Sequence, residues 1–142
     1  MYNLDLIEAR LALVTRYLDR LEGLGAVPVG QFVADDTRAA AAESYLRRAL
    51  EALFDVGRHL LAKGGFTELA GEYKGIARGL TTLSAVSPAL GEDLVKMVGY
   101  RNRLVHLYNE VTNAELHAIL QANLGTVREA ARAIRAYVAT RS

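Results

Sequence analysis

Apolar residues recur at three- and four-residue steps along almost the whole chain, and that spacing constrains the fold more than any other feature. Ile7, Leu11, Val14, Leu18 and Leu21 form one stripe on a first helix. Asn3 is its predicted N-cap, and Gly23 and Gly25 are its stop signals. A loop through Pro28 and Gly30 precedes a long second helix, capped by Asp35 or Asp36. Leu46, Leu50, Leu53, Gly57, Leu60 and Leu61 make its apolar face, and Lys63-Gly64-Gly65 ends it. Glycine inside a helix costs about 1 kcal/mol, so Gly57 on that face predicts a close helix crossing. Leu69, Tyr73, Ile76, Leu80 and Leu83 give a third helix, despite three glycines between Glu68 and Val86. Ser87-Pro88 reads as N-cap and first position of a fourth, lined by Leu90, Leu94, Met97, Leu104 and Val105. Thr112 or Asn113 starts a last one, with Leu116, Leu120, Leu124, Val127, Ala131, Ile134 and Val138 facing inward. No strand alternation or hairpin dipeptide interrupts the pattern. The expectation is an all-α bundle of about five helices.

At 142 residues the chain is expected to be one domain, 1–142, able to bury roughly two-thirds of the surface its unfolded form exposes. The absence of cysteine removes disulfide scaffolds, thiolate zinc or iron–sulfur sites and cysteine nucleophiles. No histidine and carboxylate spacing makes a metal site, and the scattered glycines spell no phosphate loop or dinucleotide fingerprint, so no metal and no cofactor are expected. No uninterrupted apolar run is long enough for a membrane span, and Met1-Tyr2-Asn3-Leu4-Asp5 does not resemble a secretory leader, which predicts a cytoplasmic protein. Net charge is only +1, so any attraction for nucleic acid must be local. Basic residues do cluster: Lys74, Arg78, Lys96, Arg101 and Arg103 face only Glu92 and Asp93 in their stretch. Arg128, Arg132, Arg135 and Arg141 face Glu129 alone.

Local rules fail in the fourth helix. At about 100° per residue, Arg101 continues the stripe of Leu90, Leu94 and Met97, and Tyr108 falls about 20° from it. A guanidinium on a buried face is costly unless paired or beside a wet cleft. Asn102 and His106, four apart, become neighbours on an adjacent face, and Arg103 points elsewhere, toward solvent. The plain reading is that Arg101 pairs with a carboxylate such as Asp55, with His106 an ordinary interfacial histidine. Glu51, Asp55, Arg58 and His59 then form a polar helix face; on the functional reading the same face completes a cleft and holds Arg101. His59 is read as a surface or interface residue, and His117 as an exposed one.

The string Met97-Val98-Gly99-Tyr100-Arg101-Asn102-Arg103-Leu104-Val105-His106-Leu107-Tyr108 contains Arg-x4-His-x-Tyr and resembles the signature of the HepT-like branch of the HEPN superfamily. Gln31-Phe32-Val33-Ala34-Asp35, Glu51 through His59, and Pro88 through Tyr108 are similar to further family segments, over roughly residues 4 to 140. The resemblance implies a HEPN-type bundle acting as a homodimer and a metal-independent endoribonuclease. It carries over Arg101, His106 and Tyr108 as the site, with Asn102 as the polar residue inside the motif.

These side chains suit that chemistry. When the 2′-hydroxyl of RNA attacks the adjacent phosphorus, no metal is required. The reaction needs an acid–base group with a pKa near neutrality, which fits His106, and a fixed cation on the phosphate oxygens, which fits Arg101. Asn102 is expected to orient His106 or bind backbone, and Asp55 to support the cleft. One motif supplies a single histidine, so two motifs facing each other across a dimer axis would complete an acid–base pair. In this branch the partner is an MntA-type nucleotidyltransferase antitoxin, which attaches AMP to the motif tyrosine, here Tyr108. The alternatives are a non-catalytic HEPN module that binds nucleotide or accompanies a nucleotidyltransferase, and a plain interaction bundle; the plain reading of Tyr108 itself is that it packs and hydrogen-bonds at the helix end.

Overall fold

The computed structural model describes residues 2–106 and 111–141. The described residues are helical and contain no strand. α1 spans Leu4–Gly25, α2 Val29–Val33, α3 Asp36–Lys63, α4 Tyr73–Thr82, α5 Pro88–Val105, α6 Asn113–Ala122 and α7 Leu124–Ala139, with a 3-10 turn at Leu69–Gly71. The all-α bundle is therefore as expected, and the extra helices arise from a turn within the predicted loop and from subdivision. Pro28 opens α2 inside the segment read as loop, and that single turn buries Phe32 completely. Five residues are too few to display a helical period. The third predicted helix is divided where Glu72 turns extended (φ −136°, ψ 149°), and the last is divided at Asn123 (φ −118°, ψ −8°). Both breaks fall between apolar residues that keep their spacing, so the stripe alone does not reveal them.

Polar side chains close the helix starts as predicted. Asn3, Asp35, Ser87 and Thr112 each accept a hydrogen bond from the amide three residues on, at 3.0–3.1 Å. α3 has 28 residues, about 42 Å of helix, and is the element against which the others pack. Its longest interface is with α1, and Leu11, Leu18 and Leu21 of α1 and Leu46, Leu50 and Leu53 of α3 are all buried in the core that the helices share. α4 crosses α3 at Gly57. A Cβ there would lie 2.7 Å from Ile76 Cγ2, so the missing side chain is what lets the two helices approach. Among the described residues no helix is long and apolar enough to cross a membrane.

Two histidines read as peripheral are structural. His117 Nε2 lies 2.7 Å from the Val27 carbonyl, and its ring packs 5.2 Å from Phe32, so it is half-buried and ties α6 to the α1–α2 connection. His59 accepts a hydrogen bond from the Asn3 amide through Nε2 at 3.2 Å, with the Tyr2 ring 6.3 Å away. Burial, and then the nearby Lys63 charge, lower the His59 pKa below its ordinary value. The unfolded chain therefore takes up a proton at this position before the folded one does. Stability from His59 is complete above about pH 6.5 and is lost as pH falls through the lower, folded-state value. Urea titrations of the wild type and His59→Gln at pH 7.5 and pH 5 test this. The wild type should lose more of its advantage at pH 5, and equal losses in both proteins would reject the linkage.

Candidate functional site

α5 brings the motif to the α3–α4 junction. Ser87 caps its start and Pro88 occupies its first turn, where the missing amide is not needed. Leu94 and Met97, fully buried, fix its rotation against the core. One turn beyond Met97 the same face presents Arg101, whose side chain is 19% exposed.

That guanidinium is held by three groups. Nη2 donates to Glu51 Oε2 at 2.9 Å, Nη1 donates to Asn102 Oδ1 at 3.3 Å, and Cζ stands 4.2 Å from the centre of the Tyr73 ring. Glu51 is itself anchored, because Oε1 accepts from Arg47 Nη1 at 3.2 Å. Tyr73 is fixed by Phe54, with ring centres 5.4 Å apart, and lies 5.5 Å from Arg58 Cζ. Arg58 in turn donates to Asp55 at 2.8 Å and to the Ala70 carbonyl at 3.2 Å. The carboxylate on Arg101 is thus Glu51, one helical turn before the Asp55 expected from the sequence, and Asp55 serves Arg58 instead. The polar face of α3 does hold Arg101, through a different member.

The arrangement explains how a half-buried arginine is tolerated. Ion pairing and the aromatic face offset its lost hydration, although Arg101 Nε is buried without a hydrogen-bond partner among the described residues. It also leaves an edge for a ligand. The Glu51 bond is short and partly buried, whereas the Nη1–Asn102 bond is longer and exposed. An incoming phosphate oxygen can replace Asn102 on Nη1 while Glu51 and Tyr73 keep the guanidinium plane in place.

The rest of the motif departs from a continuous helix. α5 stops at Val105, and His106 is its extended C-cap residue (φ −100°, ψ 113°), exposed at the helix end. The continuous helix expected through the whole motif therefore ends at His106. Val105, read as core, is 42% exposed. Arg103, expected to reach solvent, instead forms a two-pronged ion pair with Glu115 of α6, at 2.5 and 2.8 Å, which holds the Glu115 carboxyl below its ordinary pKa. Tyr108 lies outside the described residues.

Glu51 and Tyr73 are the site residues that sequence reasoning did not single out. Tyr73 read as one member of an apolar stripe, and Glu51 as one of several charges on a helix face. The available signal was the isolated Arg101, which required some carboxylate and some flat surface nearby, but spacing within separate helices does not say which. Among the described residues no group of three or more histidine, aspartate or glutamate side chains is placed to hold a metal ion.

Known proteins share this fold. Residues 14–134 match the family model described as Ribonuclease HepT-like. The "tRNA nuclease HepT" of Aphanizomenon flos-aquae is 25% identical over 142 residues, covering 99% of this chain and 96% of that protein. Among solved structures, the fold matches the tri-AMPylated HEPN toxin of Shewanella oneidensis, determined in complex with its MNT antitoxin. The TM-score is 0.82 and identity 25%, over 93% of this chain and 98% of that one. It also matches YutE, a cytosolic Bacillus subtilis protein of unknown function, with TM-score 0.77 and 20% identity over 99% and 95% of the two chains. A family match over residues 14–134, most of the chain, places this protein in the HepT-like ribonuclease family of HEPN proteins.

Proposed function

We propose that residues 1–142 act as one HEPN domain, an endoribonuclease toxin that cuts RNA without a metal ion and is neutralised by AMPylation of Tyr108. The observation that carries this reading is Arg101, fixed by Glu51 and Tyr73 with the Nη1 edge on the exposed side, in the last turns of a helix that ends at an exposed His106. Arg101 binds a non-bridging oxygen of the scissile phosphate and stabilises the charge that builds on it. One His106 removes the proton from the 2′-hydroxyl as that oxygen bonds to phosphorus. The bond to the 5′-oxygen breaks, and His106 of a second copy protonates the leaving oxygen, giving a cyclic phosphate and a 5′-hydroxyl. A dimer with facing motifs supplies both histidines. Asn102 holds Arg101 in the empty site and yields to the phosphate. Because one relative is a tRNA nuclease, tRNA is the first substrate to test.

Incubation of the protein and its His106→Ala variant with tRNA in chelator tests the reaction. Cleavage by the former alone is the expected result, and no cleavage by either would reject the reading. The regulatory half has its own measurement. With an MntA-type nucleotidyltransferase, the Tyr108 phenolic oxygen attacks the α-phosphorus of ATP and pyrophosphate leaves. Intact mass should rise by whole AMP units in the native sequence and stay unchanged in Tyr108→Phe; a modified Tyr108→Phe protein would move the acceptor elsewhere.

A further inference from the structure

The Arg101 cluster continues into a second feature. Between α1 and α3 runs a groove of about 350 Å³, lined by Arg10, Tyr17, Arg47, Arg48, Glu51 and Asp55. Glu51 is common to the groove and to the Arg101 ion pair, so the groove borders the cluster that holds Arg101. Its two carboxylates are already engaged, Glu51 by Arg101 and Arg47, Asp55 by Arg58. Five guanidinium groups thus surround two carboxylates, and neither Arg10 nor Arg48 has a carboxylate partner among the described residues. Aromatic and basic groups also alternate along this face. Tyr17 packs 5.6 Å from Tyr45, Arg16 lies 5.7 Å from the Tyr17 ring, and Arg20 both stands 5.4 Å from the Tyr45 ring and donates to its hydroxyl at 2.7 Å. Where α1 meets α7, by contrast, the arginines are neutralised: Arg128 by Asp19 and Glu22, Arg135 by Glu8. In a chain of net charge +1, an uncompensated basic strip that abuts the motif is a local exception.

We propose that the α1–α3 groove is a binding track for the single-stranded RNA that flanks the cut, with Arg10 and Arg48 contacting its phosphates and Tyr17 offering a face to its bases. Guanidinium groups interleaved with aromatic rings suit an unpaired strand, whose backbone and bases are both accessible. The assignment rests on the ribonuclease reading for its biological purpose, but it can be judged separately, because binding does not require cleavage.

The test uses the non-cleaving His106→Ala protein and a fluorescent 20-nucleotide single-stranded RNA. Adding Arg10→Gln and Arg48→Gln together should weaken binding about tenfold at 0.1 M salt. The slope of log affinity against log salt should fall by roughly 1.4, the value for two lost phosphate contacts on a single strand. Arg10→Lys with Arg48→Lys should retain most of the affinity, which separates a lost charge from a damaged fold. Unchanged affinity and slope in the glutamine variant would overturn the track, including the case where that variant fails instead to associate with a nucleotidyltransferase. Cleavage of tRNA in chelator by the unmodified protein judges the ribonuclease reading independently.

Discussion

His106→Ala is expected to lower RNA cleavage by about 10²–10⁴-fold, the usual contribution of a positioned general acid or base, while leaving the melting temperature near that of the parent. The separation of the two readouts follows from where His106 sits. It is the exposed C-cap residue of α5, past the residues of that helix that are buried in the core. A histidine read as an ordinary interfacial residue predicts the reverse, lost stability with activity retained. If two copies of His106 share one cleft, titrating the parent with excess His106→Ala protein should extinguish its activity, because each heterodimer keeps only one of the two histidines. A fully active monomer would remove the dimer from the mechanism. Activity in the His106→Ala homodimer close to that of the parent would end the acid–base assignment.

The parts of this molecule that periodicity controls are legible in the amino-acid sequence alone. A stripe with a step near 3.6 dictates a buried face, and Leu11 on α1, Leu50 on α3, Leu94 on α5 and Ile134 on α7 are all buried where the stripes place them. Caps are legible for the same reason, since Asn3, Ser87 and Thr112 act on amides a fixed three residues away. The breaks at Glu72 and Asn123 are not, because backbone turns between well-spaced apolar residues cost the pattern nothing. The site is half legible. That Arg101 violates its stripe is a local fact, but its partner is 50 residues away in sequence, and α3 offers Glu51 and Asp55 one turn apart on one face. Only the depth and rotation at which α5 meets α3 choose between them. The end of α5 at Val105 is illegible for a related reason: Leu104 and Val105 continue an apolar pattern, but Leu104 is only partly buried and Val105 is exposed. The resemblance to the family is legible because the string that carries it is contiguous; the environment of Arg101 is assembled from three helices.

Arg101→Ala should reduce kcat/KM by about 10²–10³-fold, the scale seen when one fixed donor to a developing negative charge is removed. The loss should fall chiefly on kcat, because the proposed contact strengthens as charge grows on the phosphate. Arg101→Lys separates charge from shape. Lysine keeps the positive end for Glu51 but cannot lie flat at 4.2 Å on Tyr73 and also offer a second, parallel donor to phosphate, so most of the loss should persist. Stability should change much less, by about 1–2 kcal/mol, since Glu51 retains Arg47 when Arg101 is gone. The positioning role of Glu51 is then read from a cycle. Glu51→Gln alone should cost about tenfold in kcat by loosening Arg101, with KM nearly constant. In an Arg101→Ala background the same change should cost almost nothing, because there is no guanidinium left to orient. Additive losses would mean that Glu51 acts on the reaction by another route, and a wild-type kcat/KM in Arg101→Ala would remove Arg101 from the chemistry altogether.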